Sequence, residues 1–159
     1  MQRQLRTNLT LLLVIGLLTA VVWWSQPAAV TPLSQLLPQQ ITRVELSGPA
    51  RETITMTLTG DQWMIGERAG INSRVKQLLE ICRTESLRHF PAPAELKPFG
   101  LDQPNLILRL NQTQFSFGTT DPINGWRYVL HRGEIHLIGN GFQHHLIAPI
   151  DAWLESRDA

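Results

Sequence analysis

The sequence predicts an α+β protein: an N-terminal transmembrane helix followed by one domain of mostly antiparallel hairpins with two amphipathic helices. Three observations carry that reading. An uncharged apolar run opens the chain, period-2 alternation recurs through the rest, and two stretches switch to helical period. Strands precede a helix twice over, so the domain reads as two strand-strand-strand-helix-like halves. Sequence identity between the halves is slight. Helices packed on sheet built from consecutive hairpins is the architecture that follows.

The first element is the run "LTLLLVIGLLTAVVWW" at 9–24. With Thr7 and Asn8 it reaches the ~18–20 uncharged residues a helix needs to cross hydrocarbon. Arg3 and Arg6 flank it on one side, and the next basic residue is Arg43. The positive-inside rule then keeps the N-terminus in the cytoplasm, and Trp23 and Trp24 fall where an aromatic belt sits. A secretory signal has an apolar core of ~7–15 residues and a small-x-small cleavage site. Here the run is longer, and "SQPAAV" offers no good A-x-A pattern. Residues 1–25 are therefore expected to be an uncleaved single-pass anchor with a short cytoplasmic N-terminus. In a bacterium this is the inner membrane, with the globular part on the periplasmic side. Residues 26–40, rich in Pro and Gln and free of charge, read as a stiff linker. The extracytoplasmic domain is expected over 41–159.

Strands open that domain. In "ITRVELSG", Val44 and Leu46 face one way, Arg43 and Glu45 the other. "ETITMTLTG" alternates Ile54, Met56 and Leu58 with threonines, the pattern of a half-buried strand. A two-residue turn at Gly60-Asp61 pairs Leu58 with Trp63. The period then changes: Val75, Leu78, Leu79 and Cys82 stand at i, i+3, i+4 and i+7, an amphipathic helix with Asn72 or Ser73 as its N-cap. In the second half, closing a hairpin at Asn111-Gln112 pairs Leu108 with Phe115 and Leu106 with Phe117. A turn at Arg132-Gly133 puts Tyr128, Leu130, Ile135 and Leu137 on one face. Arg127, His131, Glu134 and His136 share the other with Val129 and Ile138. A last helix is expected over roughly 142–156, carrying Phe142, Leu146, Ile150, Trp153 and Leu154.

Composition excludes several function classes. Net charge is +1, and from residue 26 onward 12 Lys and Arg face 13 Asp and Glu, which argues against a nucleic-acid binder. Cys82 is the only cysteine, so no intramolecular disulfide and no multi-cysteine metal site can form. It reads as a small core residue. His144 and His145 are adjacent on a helix and should diverge by about 100°. His131 should face Glu134 across a polar sheet face, and Ser116 should point outward between two phenylalanines. No H-E-x-x-H, G-x-S-x-G or phosphate-cradling glycine loop occurs. No metal, cofactor or catalytic residue is therefore expected. The polar loop 118–126 is the expected contact surface, with Asp121, Asn124, Trp126 and Tyr128 as its contact residues.

"LKPFGLDQP" at 96–104 reads as a helical turn that stops. Gly100 suits the left-handed C′ position, with Leu101 folding back toward Leu96. Asp102 suits a turn-former bonding nearby amides, and Pro104 forces an extended entry to the next strand. That makes the stretch a hinge between the two halves. The box Phe99, Gly100, Leu101, Asp102 and Pro104, with "GDQWMI" (60–65), "LILRL", "FSFG" (115–118) and "WRYVL" (126–130), resembles the domain-of-unknown-function family 4340 over about residues 41–155. The resemblance implies a bacterial membrane-anchored domain without established catalytic residues, sometimes beside export or gliding-motility systems. The expected function is a non-enzymatic periplasmic interaction module. Its partners would be the membrane, through the N-terminal helix, and another envelope protein of a transport or envelope-assembly complex. One alternative is a small-molecule or glycan-binding domain using Trp126, Tyr128 and the 118–126 loop. The other is a cryptic hydrolase using His131 or His136 with Glu134.

Overall fold

A computed structural model describes residues 14–19, 31–49 and 51–156. Residues 14–19, inside the expected anchor, are helical and exposed. The rest of that anchor lies outside the described residues, and no helix among them is long and apolar enough to cross a membrane.

The domain is built on one nine-stranded sheet in the order β5-β4-β3-β2-β8-β9-β10-β11-β7, with every neighbouring pair antiparallel. Its strands are β2 (Arg43–Gly48), β3 (Arg51–Thr59), β4 (Gln62–Ile65), β5 (Arg68–Ala69), β7 (Arg88–Pro91), β8 (Leu106–Leu110), β9 (Thr113–Thr120), β10 (Arg127–His131) and β11 (Glu134–Ile138). A two-stranded patch pairs β1 (Thr31–Pro32) with β6 (Glu85–Ser86). The hairpin registers follow the alternation. Leu58 opposes Trp63, Leu108 opposes Phe115, Leu106 opposes Phe117, and His131 opposes Glu134. Gly60, Asn111, Arg132 and Gly133 all have positive φ, the left-handed backbone that tight hairpin turns demand.

The two expected halves are joined as one sheet by β2 and β8, where Val44 meets Leu110 and Leu46 meets Leu108. One sheet face carries Val44, Leu46, Ile54, Met56, Trp63, Leu106, Leu108, Phe115, Phe117 and Val129 into the core. Helix Asn72–Leu79 covers it through Val75, Leu78 and Leu79, and Trp153 closes it from the C-terminal segment.

Several elements depart from expectation. Most of the residues assigned to the linker belong to the domain. Leu33 is buried, its amide donates to Thr84 O at 2.8 Å, and Ser34 N donates to Cys82 O at 3.2 Å. Apolar Leu33 has somewhere to go once β6 offers an edge, so the tether ends near Thr31 rather than residue 40. The helix N-cap is Ile71, without a side-chain cap. Asn72 is spent elsewhere: its Oδ1 accepts from Trp63 N at 2.8 Å and its Nδ2 donates to Asp61 O at 3.0 Å. The last helix is three short pieces, Asn140–Phe142, Gln143–Leu146 and Ile150–Trp153. Pro149 lacks the N–H a continuous helix needs and disfavours helical backbone at Ala148.

Candidate functional site

Three places in the fold gather polar chemistry. The first is the expected contact loop. Asp121 is only 8% exposed and closes its own turn: its carboxylate accepts from Asn124 N at 3.0 Å and Asn124 Nδ2 at 2.8 Å. Those bonds, Asn124's side chain first and Tyr128 also contributing, hold its carboxyl below the usual range. Asp121 N donates to Trp126 O and Gly125 N to Asp121 O. Asp121 and Asn124 are therefore bonded to each other within the turn, while Ile123, 87% exposed, stands at its tip. Tyr128 turns back to the sheet and meets Phe99 edge-on, ring centroids 5.1 Å apart. Trp126 lines neither of the two large cavities described below.

Tyr128 and Phe99 bring the loop onto the "FGLDQP" box. A 3-10 turn, Lys97–Phe99, ends at Gly100 with φ +64°. Gly100 N donates to Lys97 O and Leu101 N to Leu96 O, the paired bonds of a Schellman stop. The box lies flat on β9, where Gly100 abuts Thr119 and Gly118 leaves room for the Phe99 carbonyl. With Ile135 and Leu137, buried Leu101 forms a small apolar layer on the sheet face opposite the main core. The stretch is a cover rather than a hinge, because the continuous sheet leaves nothing to swing. Asp102 is exposed, and among the described residues nothing hydrogen-bonds its side chain, so it does not form the turn as expected.

The second place is the histidine face of β10 and β11, which is buried rather than polar and solvated. His131 and His136 sit beside Val129 and Ile138, with β6 packed against β11 and β7 hydrogen-bonded alongside it at the sheet edge. His131 stacks on Phe115 at 4.5 Å and its Nδ1 meets Gln114 O at 3.1 Å. His136 stacks on His89 at 5.7 Å. Its Nδ1 lies 2.9 Å from Ser86 Oγ, and its Nε2 lies 3.8 Å from a Glu134 oxygen. Ser86, His136 and Glu134 thus line up as a serine-histidine-acid row, with Ser86 supplied by a short strand that shows no alternation in the sequence. Ser86 Oγ lies 3.1 Å from Arg88 O; with its proton donated there, it accepts from the Nδ1–H tautomer of His136. The 3.8 Å gap to Glu134 exceeds a hydrogen bond. Burial pushes the pKa of both histidines down, and Glu134 opposes this only in part. Ser116 lies on the sheet face away from Phe115 and Phe117, as expected, but is buried there and accepts from Gln114 Nε2 at 3.2 Å. The ring centroids of His144 and His145 are 3.9 Å apart, closer than adjacent helical positions suggest. Among the described residues no three His, Cys, Asp or Glu side chains converge as a metal set.

The third place is a cavity of about 510 Å³ beneath the C-terminal segment, a size typical of small-molecule sites. Ile54, Leu106, Phe117 and Leu146 form apolar walls, and Arg51 and Arg127 stand among them. Arg51 donates to the carbonyls of Leu146 and, at 2.9 Å, Ala148, the C-terminal end of helix Gln143–Leu146. Arg127 donates to Gly118 O at 3.0 Å, Asn140 Oδ1 at 3.0 Å and Gln143 Oε1 at 3.3 Å. Neither arginine was singled out from sequence as a site residue; each sits in a strand, like many solvated arginines. A second cavity of about 420 Å³ lies by Trp63 and mixes Lys76 and Arg83 with Asp61 and Glu80.

The fold class these features define is α+β: a nine-stranded antiparallel sheet with a two-stranded patch, and a few short helices, among them Asn72–Leu79 on the core face. No family model matches the chain, and searches of curated proteins and of solved structures found no match either.

Proposed function

We propose that this chain is a membrane-tethered, non-enzymatic binding module that works outside the cytoplasm against an envelope partner, as the likeness of the "FGLDQP" box to family 4340 also implies. The observation that carries it is the shortness of the tether. The apolar run ends at Trp24, and Thr31 is already paired to Ser86. At about 3.5 Å per residue, the intervening residues 25–30 reach roughly 20 Å even when extended. A domain held that close to a bilayer meets membrane-resident partners before soluble ones. The exposed Ile123 at the tip of the 121–126 turn offers an apolar anchor for such a partner. Two measurements test this. A reporter active only outside the cytoplasm, fused after Ala159, is expected to be active, and silence overturns the orientation. A photocrosslinking residue at position 123 is expected to give a discrete adduct with a membrane protein; none from this loop or its neighbours overturns the docking claim.

A second reading, small-molecule binding, is favoured by the cavity under the C-terminal segment. It places the ligand away from Trp126, among Arg51, Arg127 and their apolar neighbours.

A further inference from the structure

The cavity beneath residues 146–150 pairs apolar walls with two guanidinium groups that lack a counter-charge among the described residues. Among the described residues, neither Arg51 nor Arg127 has a carboxylate within ion-pair distance. Every bond they make is to a neutral carbonyl or amide oxygen. Such bonds fix the planes of the guanidiniums but do not neutralise them. Of the five N–H donors a guanidinium carries, Arg51 spends two and Arg127 three, so donors remain on both. Both side chains are partly buried, and burial lowers both pKa values with no neighbouring acid to offset it. A charge removed from water without a partner is costly. Glu52 also lines the first cavity, but it is exposed and water screens it.

We propose that this cavity binds an apolar anion: a molecule with one carboxylate or phosphate head, held by Arg51 and Arg127, and a hydrocarbon body against Ile54, Leu106, Phe117 and Leu146. Arginine forks match both head groups in bidentate geometry. Apolar walls beside an unanswered positive charge focus its field on the ligand. The inference rests on the small-molecule reading above and adds the chemical class. It is independent of the docking surface at Ile123.

The test is photolabelling of the full chain in membranes with diazirine-bearing dodecanoate, dodecyl phosphate and dodecanol, with adducts mapped by mass spectrometry. The anionic probes are expected to label peptides around Leu106 and Ile147 at least about tenfold more than dodecanol. The stronger of the two anions identifies the head group. Ile147→Glu places a carboxylate at an exposed lining position, 65% accessible, without touching either arginine. It is expected to cut anionic labelling about tenfold while leaving the circular dichroism unchanged. Arg127→Gln should cut it similarly. Equal labelling by dodecanol overturns the anion claim and leaves the small-molecule reading standing. Absence of any labelling at this cavity overturns both. Undiminished labelling of Ile147→Glu shows that the charge pair is not the determinant and overturns the proposal.

Discussion

A methyl group added at Gly100 would lie 2.6 Å from Thr119 Cγ2, on a backbone already at φ +64°. Both the left-handed conformation and the contact oppose it, so Gly100→Ala should cost about 1–3 kcal/mol in chemical denaturation. At Gly118 a methyl would collide with the Phe99 carbonyl, a backbone atom that cannot turn aside. Gly118→Ala should therefore cost more than Gly100→Ala; the reverse order would show that the box is not seated on β9 as described. Asp102, exposed and unbonded, is the counterpart: Asp102→Asn should stay within about 0.5 kcal/mol of the parent. Cys82 is fully buried, and burial, its largest perturbation, raises its thiol to about 11. Thiolate is the reactive species. The native protein should resist iodoacetamide at pH 7.5 and react once unfolded, and fast native labelling would contradict this burial.

At the scale of elements, the β10–β11 hairpin and helix Gln143–Leu146 make stability depend on pH through their buried histidines. His131, His136 and His145 are buried, and desolvation, the largest cause in each, lowers their pKa values. The unfolded chain therefore binds more protons than the folded one below about pH 6.5, the unperturbed histidine value. Stability is full above that pH and is lost as pH falls through it toward the lowered folded values, by at most about 1.4 kcal/mol per pH unit for each histidine. The melting temperature should fall between pH 7 and 5, and His136→Gln should flatten the slope. An unchanged slope in that variant would remove His136 from the explanation. The hairpin's register was legible because Arg132-Gly133 has turn chemistry and its flanks alternate. Its burial was not legible, since β6 packs against it and β7 extends the sheet beside it, strands of two and four residues with no alternation to betray them. The same limit hid Ser86. The C-terminal helix was over-read because apolar spacing across Pro149 mimics one helix, while the proline divides it.

On the scale of the whole molecule, the sheet is continuous but the elements that close it are few. Trp153 is fully buried against the core, reached by a C-terminal segment that is pinned at Gly70. Ile71 N donates to Trp153 O at 2.8 Å and Glu155 N donates to Ala69 O at 3.0 Å, the two bonds of an antiparallel bridge between Gly70 and Leu154. Arg51 adds a second tie through the Leu146 and Ala148 carbonyls. These contacts join the C-terminal segment to the first half of the domain, so that segment helps to complete the core. Trp153→Ala removes the largest fully buried side chain and should cost about 3–5 kcal/mol. Removal of residues 150–159 should do at least as much, exposing Ile54, Val75 and Leu106. The decisive measurement is hydrogen exchange on the Trp153→Ala variant. If the C-terminal segment closes one cooperative core, amides of β3 and β8 lose protection together with those of helix Asn72–Leu79. If β8–β11 keep full protection while the helix alone opens, the two halves fold separately and the single-core description fails.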